Sequence, residues 1–286
     1  MEVKFHEDID EFYHIVSDFL LRNEAKNNLL FSILNTIKIN QKRYGEESPI
    51  LVTVKENDEI KLVSLRTPPY NQVLSYTDDI SSIDLLAKAL LQKNIELPGV
   101  LGFKEGAHRF AQLWCKYKKR KSQIIRNERI YELEKVAEET LGNRKFIIGS
   151  EANQSLILTW AKEFILEALP ETTESQIIRS RKNLVDDIKN KKIFLLMENK
   201  KVVSMARKAG KTPNGNLVNL VYTPSDLRRR GYATECVAKL SKQILEEGNI
   251  FCFLFTDLMN PISNSIYQKI GYRPVIDIDE YKFTKE

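Results

Sequence analysis

The sequence predicts an α+β or α/β protein built as two related units in tandem. Three observations predict it. At 286 residues the chain exceeds one average domain, so two are expected, and 42% hydrophobic residues are enough for a sizeable core. The same order of helices and strands is read twice along the chain. Between the two readings lies a polar, Gly-containing stretch, 137–143, the candidate linker. The expected division is therefore 1–136, a linker over 137–143, and 144–286.

The elements of the first half follow from their patterns. A short strand opens at 3–5, and helices follow over 8–22 and 24–39. Strands at 49–54 and 60–65 form a hairpin turning at Asn57-Asp58. A further strand runs over 71–76. Residues 82–93 carry Ile83, Leu86, Ala87 and Leu90, the spacing of one helical face. A short apolar strand at 100–103 precedes a helix over 107–117. Residues 124–136 read as extended, with a break near Asn127.

The second half repeats the order. A strand at 146–149 is followed by helices over 151–169 and 174–190, separated by Pro170. Strands at 193–198 and 201–208 turn at Asn199-Lys200. Then come a strand at 217–223, a helix at 232–247, a strand at 250–256 and a helix at 262–270 closed by Gly271. Residues 272–278 and 281–283 read as a last hairpin. The clearest recurrence sets 86–103 and 105–116 against 237–256 and 260–270. Each reads helix, apolar strand, short loop, helix.

Composition narrows the function classes. Charged residues make up 29% and the net charge is +5, a mild excess. The basic runs at 116–121 and 228–230 are short. The first reads as a solvated helix end, and a nucleic-acid surface would call for a denser stripe. Cys115, Cys236 and Cys252 form no CxxC pair, which fits free thiols in a reducing, cytoplasmic setting. The start Met1-Glu2-Val3-Lys4 has no apolar leader, and no run approaches the roughly 18 apolar residues of a membrane span. His6, His14 and His108 are scattered, so neither a metal site nor a nucleophilic triad is expected.

The chemistry concentrates in 217–247. An apolar strand runs into Thr223-Pro224-Ser225-Asp226-Leu227, then Arg228-Arg229-Arg230-Gly231-Tyr232-Ala233, and a helix begins. Ala233, Val237, Leu240 and Ile244 share its buried face. A loop between a buried strand and a helix N-terminus is a natural anion site, because unpaired N–H groups and the positive dipole end point into it. Gly231 lets a phosphate approach the backbone, Ala233 keeps the first turn small, and the arginines add charge. Neither G-x-G-x-x-G nor a P-loop is present. By itself the loop also reads as a basic surface turn.

A second constellation follows. The continuous apolar run 250–255 reads as a strand covered on both faces. After it, Asn260 can cap a helix and Pro261 suits its first turn. Ile262, Ile266 and Ile270 mark the core side, and Asn264 and Tyr267 share a neighbouring face. Taken alone, Tyr267 also reads as a half-buried packing residue.

Together these segments resemble the GNAT superfamily of N-acyltransferases. Its pyrophosphate motif, Q/R-x-x-G-x-G/A, is matched by Arg228, Gly231 and Ala233. Its later motif, N-x-x-(A/S)-x-x-(L/I)-Y-x-x-x-G-(F/Y), is matched without a gap by Asn260, Ser263, Ile266, Tyr267, Gly271 and Tyr272. The resemblance covers about 145–283. The first half shares the element order but reads Thr77-Asp78-Asp79-Ile80-Ser81 where the phosphate motif would stand, as a degenerate copy would.

The resemblance implies a mixed, mostly antiparallel sheet in each unit, with a splayed central pair of parallel strands, here 217–223 and 250–256. It implies acetyl-CoA as co-substrate and no metal. The donor's arm would lie in the split, held by backbone near Val221, Tyr222 and Thr223. Its phosphates would meet Arg228, Arg229, Arg230, Gly231, Tyr232 and Ala233, with Asn260, Ser263 and Asn264 bordering the same site. A strand N–H would stabilise the oxyanion. A small-molecule or peptide amine would attack directly, and Tyr267 would protonate the leaving thiolate. Glu198 and Asp257 border the expected cleft as possible bases. Cys252 reads as core. The other function classes left open are an acyl-CoA-binding sensor without turnover and a nucleic-acid binder.

Overall fold

The computed structural model describes residues 1–168 and 172–285. Leu169 and the expected break at Pro170 lie outside the described residues. In chain order the elements are β1 (Glu2–His6), α1 (Ile9–Leu21), α2 (Asn28–Ile39), β2 (Ile50–Glu56), β3 (Glu59–Arg66), β4 (Gln72–Leu74), α3 (Ile80–Gln92), β5 (Gly99–Phe103), α4 (Lys104–Lys118) and β6 (Arg120–Leu133). They continue with β7 (Lys145–Ile148), α5 (Gln154–Ala168), α6 (Glu174–Lys189), β8 (Ile193–Glu198), β9 (Lys201–Lys211), β10 (Gly215–Tyr222), α7 (Tyr232–Glu246), β11 (Phe251–Asp257), α8 (Pro261–Ile270) and β12 (Arg273–Lys285).

The chain forms two compact units. One comprises 1–130, 257–259 and the terminal segment from Val275; the other comprises 131–256 and 260–274. The first unit's sheet runs β1-β2-β3-β4-β5-β12-β6, and the second's runs β11-β10-β9-β8-β7. In each, one parallel pair stands among antiparallel neighbours: β4 with β5, and β10 with β11. Both units thus follow one order, with two helices after the first strand, three strands, a helix, a strand and a helix.

Local chemistry explains most of these elements. Asp8 caps α1 through Glu11 N–H at 2.7 Å, and Ile9, Phe12, Val16 and Leu20 form its buried stripe. Asn57-Asp58 and Asn199-Lys200 both take positive φ at two successive positions, as a tight hairpin turn needs. On α7, Cys236, Val237, Leu240 and Ile244 are fully buried. Each aliphatic side chain among them contributes about 1.5–3 kcal/mol on burial. Lys119 takes left-handed φ and turns α4 straight into β6. The basic run there ends the helix, where its charge suits the dipole.

Three expectations need correction. Helix α2 starts at Asn28 instead of residue 24, because the Asn27 side chain binds Leu20 O and Tyr76 N–H instead of capping a longer helix. The extended stretch begins at Arg120 and passes Asn127 without a break, since Asn127 hydrogen-bonds across to Asp279 at 2.5 Å. The last hairpin is one strand, β12. Its residues 278–282 pair with β5 of the first unit, and Asn71 binds Glu280 in the place expected to turn.

The stretch 137–143 is packed within the second unit. Ala137 N–H donates to Ile270 O at the end of α8, and Glu138–Thr140 form a short 3-10 turn. Among the described residues no helix is long and apolar enough to cross a membrane.

Candidate active site in the second unit

The parallel pair of the second unit is joined only at its base. Register runs from Gly215↔Phe251 to Leu217↔Phe253. Gly215 makes this possible, because a Cβ there would stand 2.6 Å from the Phe251 ring. Beyond the base, β10 continues to Tyr222 and β11 to Asp257 with no further pairing between them among the described residues. Main-chain groups there face a split into which an extended ligand arm can hydrogen-bond as an added strand does.

The split strand is also bulged. Asn219 pairs with Arg207 and Tyr222 with Met205, so Leu220 and Val221 together oppose Ala206. Leu220 takes φ +48, a left-handed conformation costing a non-glycine residue about 1–2 kcal/mol. Such strain persists only where surrounding structure enforces it. The enforcement is visible. Arg207 binds Asn219 at 2.9 Å and Asp187 at 3.0 Å, and Thr223 donates to Ser204, whose hydroxyl donates to Tyr222 O. Helix α5 adds Glu163, which accepts from the Tyr222 hydroxyl at 2.9 Å.

The basic loop follows. Arg228 donates to Thr223 O and to both oxygens of Glu167 on α5, at 2.7 and 2.6 Å. Its guanidinium is therefore engaged within the protein. Arg229 and Arg230 are exposed, and Arg230 reaches Asp226 O at 3.1 Å. Gly231 is the N-cap of α7, with φ +78 and no side-chain cap. Nothing lies within 4 Å of where its Cβ would be. The first helical bond goes from Glu235 N–H to Gly231 O. The N–H groups of Tyr232, Ala233 and Thr234 therefore have no intrahelical partner and point out of the helix end. Ala233 is half-buried. The Tyr232 side chain turns inward to Glu198.

Helix α8 completes the group. Asn260 caps it by accepting from Ser263 N–H at 3.0 Å. Asn264 donates to Asn260 O and accepts from the Tyr131 hydroxyl at 3.1 Å. Tyr267 is half-buried, its ring 6.0 Å from that of Tyr272. Burial pushes its phenol up to about 12. Its hydroxyl has no hydrogen-bond partner among the described residues. Val221, Leu227, Ile266 and Tyr267 all pack on one core cluster, which brings the bulged strand, the loop and α8 together.

Glu198 accepts from Arg144 and from Tyr232, and these bonds hold its carboxyl below the usual range. Asp257 accepts from Met259 N–H. Cys252 is buried, donates to Ser241 O at 3.5 Å, and burial pushes its thiol up to about 12, which leaves it inert. No His, Cys, Asp and Glu group among the described residues could hold a metal.

Comparison with known proteins fits this geometry. Residues 196–282 match the family model of FR47-like proteins. A GNAT-family acetyltransferase from Colwellia psychrerythraea superposes over 99% of this chain and 100% of its own, with TM-score 0.60 and 12% identity. A tandem GNAT protein from the clavulanic acid biosynthesis pathway covers 99% and 98%, with TM-score 0.59 and 11% identity. The chain has the tandem GNAT fold. A Drosophila protein shares it, with TM-score 0.68, 11% identity and coverage of 99% and 98%. No curated protein matches the sequence.

Within the GNAT fold, every residue singled out from the two motifs falls in the second unit. Sequence reasoning missed Leu220, Glu163, Glu167 and Arg144. Leu220 carries no sign of left-handed φ in its own residue type, and the neighbouring Asn219 does not take it. The other three act through partners distant in sequence.

Proposed function

We propose that the second unit is an N-acetyltransferase that moves the acetyl group of acetyl-CoA to the amine of a small molecule or peptide. The observation that carries this reading is the split, bulged β10 ending beside a helix N-terminus whose glycine leaves its N–H groups open. Open space at Gly231 and outward N–H donors fit a pyrophosphate, and the unpaired end of β10 fits a pantetheine arm. With Arg228 held by Glu167, the charge toward phosphate falls to Arg229 and Arg230.

Acetyl-CoA supplies the acyl group activated as a thioester. The chain's own part is to bind, polarise and move protons. A backbone N–H at the Leu220–Val221 bulge donates to the thioester oxygen as negative charge builds there. The amine nitrogen bonds to the carbonyl carbon, the carbon–sulfur bond breaks, and water takes the amine proton. Tyr267 gives its proton to the leaving sulfur and regains one from solvent. A phenol held at about 12 stays protonated at neutral pH, ready to donate. Free thiols throughout fit work in the cytoplasm.

Acetyl-CoA consumption with thiol release, measured against polyamines, amino acids, aminoglycosides and peptide N-termini, tests the reading. Turnover with one amine class supports it. Tight CoA binding without turnover for any amine would favour the sensor reading. Absence of CoA binding would sink both.

A further inference from the structure

The cradle at Gly231 has no side chain to hold it, so the first turn of α7 must be fixed from outside. The structure fixes it at two points through one residue. Arg144, just before β7, donates Nη1 to Glu235 Oε2 at 2.5 Å and its backbone N–H to Glu235 Oε1 at 2.7 Å. Its Nε donates to Glu198 Oε1 at 2.8 Å. The other oxygen of Glu198 accepts from the Tyr232 hydroxyl, and the Arg144 guanidinium lies 4.8 Å from the Tyr232 ring centroid. Tyr232 follows Gly231 directly, and Glu235 lies one turn on.

Burial makes this ring of contacts firm. The Glu235 side chain is 4% exposed, and hydrogen bonds from Arg144 and Lys239 outweigh that burial and keep its carboxyl below the usual range. Lys239 also donates to Arg144 O. The chain wraps closely enough that a Cβ at Gly142, φ +53, would fall 2.3 Å from the Glu235 carboxyl carbon. On its outer side the clamp borders a hollow of 360 Å³ lined by Arg144, Glu198 and Lys200 among others. Water can therefore fill the space of a shortened Arg144.

The geometry assigns Arg144 as a positioning residue for the donor-phosphate cradle, an assignment that rests on reading the second unit as an acetyl-CoA-dependent transferase. A planar fork reaches two carboxylates and a ring face at once; an ammonium cannot. Loss of the fork leaves Glu235 with Lys239 alone and frees Tyr232, so the N–H groups that meet phosphate lose their aim. The effect belongs to donor binding, because among the described residues the hydrogen bonds and ion pairs of Arg144 go to Glu198, Glu235 and Lys239, not to Tyr267 or the β10 bulge.

Calorimetry with CoA, thermal melting and steady-state kinetics on the full chain test the assignment. Arg144→Ala should weaken CoA binding about tenfold or more, as misplaced contacts do. Arg144→Lys should lose less, and Tyr232→Phe about threefold, the worth of one hydrogen bond. At saturating acetyl-CoA the Arg144→Ala rate should stay within about twofold of wild type. A lower melting temperature with CoA affinity intact would reduce Arg144 to a stabilising contact and overturn the assignment. If Arg144→Ala fails to fold, Tyr232→Phe and Glu198→Gln, which keep the Arg144–Glu235 pair, must still weaken CoA. Unchanged affinity in both would overturn it equally. Wild type that binds no CoA would sink the transferase reading itself.

Discussion

Two helix N-termini in this protein occupy the same place in the element order and end differently. Helix α7 begins at Gly231, uncapped, after a basic loop and a bulged strand. Helix α3 begins at Asp79, whose own carboxylate accepts from Ser81 N–H at 3.0 Å. In the first unit a built-in anion occupies the helix end that the corresponding helix of the second unit leaves uncapped. The strands differ as well: β4 stops at Leu74, one residue past its last registered pair with β5, whereas β10 runs on from its last pair with β11 at Leu217 to Tyr222. The seventh residue of α8 is Tyr267, whereas the seventh of α4 is Phe110, fully buried and stacked on Trp114. Both units share one element order, and they differ at the helix end, in the free length of the strand before it and at the seventh residue of the following helix.

The largest test of this contrast is Tyr267→Phe. Turnover should fall about 10²–10⁴-fold, the usual worth of a general acid, with CoA affinity unchanged. Wild-type turnover in the mutant, with chemistry limiting, would make Tyr267 a packing residue like Phe110. The pH profile sharpens the point. The active form is the protonated phenol, and burial pushes it up to about 12. The rate at saturation should therefore hold through pH ~10, where an unperturbed phenol would be half lost. A fall centred near pH 10 would show that burial does not govern this group.

A smaller effect is expected at the cradle. Gly231→Glu should weaken CoA binding by about 10²-fold, since a carboxylate would stand where phosphate approaches an unscreened N–H cluster. Stability should drop only by about 1–2 kcal/mol, because φ +78 penalises any side chain while the space around it is open. Calorimetry on wild type should find one site per chain. Two equivalent sites would erase the difference between the units.

The smallest effect belongs to the first unit. Asp79→Ala should cost about 0.5–2 kcal/mol in denaturant unfolding, the value of an N-cap. It should create no second CoA site, because β4 still stops at Leu74 and buried Phe110 still stands at the position of Tyr267. A new binding event would mean that the cap alone blocks the first unit.

Much of this was legible in order along the chain. Both Asn-initiated hairpin turns, the Asn260 cap and the helix start at Gly231 follow from local rules and stand where the pattern puts them; Ile262, expected on the core side of α8, is instead 63% exposed in the helix's first turn, ahead of the packed Ile266 and Ile270. Of the motif residues, Ile266, Tyr267 and Tyr272 pack on one core cluster of the second unit. The bulge at Leu220 was not legible, because the left-handed φ falls on a leucine and not on the Asn219 before it, which would tolerate it; Arg207, Ser204 and Glu163 hold the segment from elsewhere. Arg144 read as one more basic residue beside a polar stretch.

By itself the sequence determined what each segment is: the period of its apolar residues sets helix or strand, and Gly, Asn, Asp and Pro set its ends. The tertiary structure decided who pairs with whom. It made the terminal segment one strand of the first unit's sheet, parted β10 from β11 above Leu217, and wrapped 137–144 around α7. Strand pairing and buried ion pairs join residues far apart in sequence. Their stability depends on complementary faces and excluded water, which no short stretch of chain specifies alone.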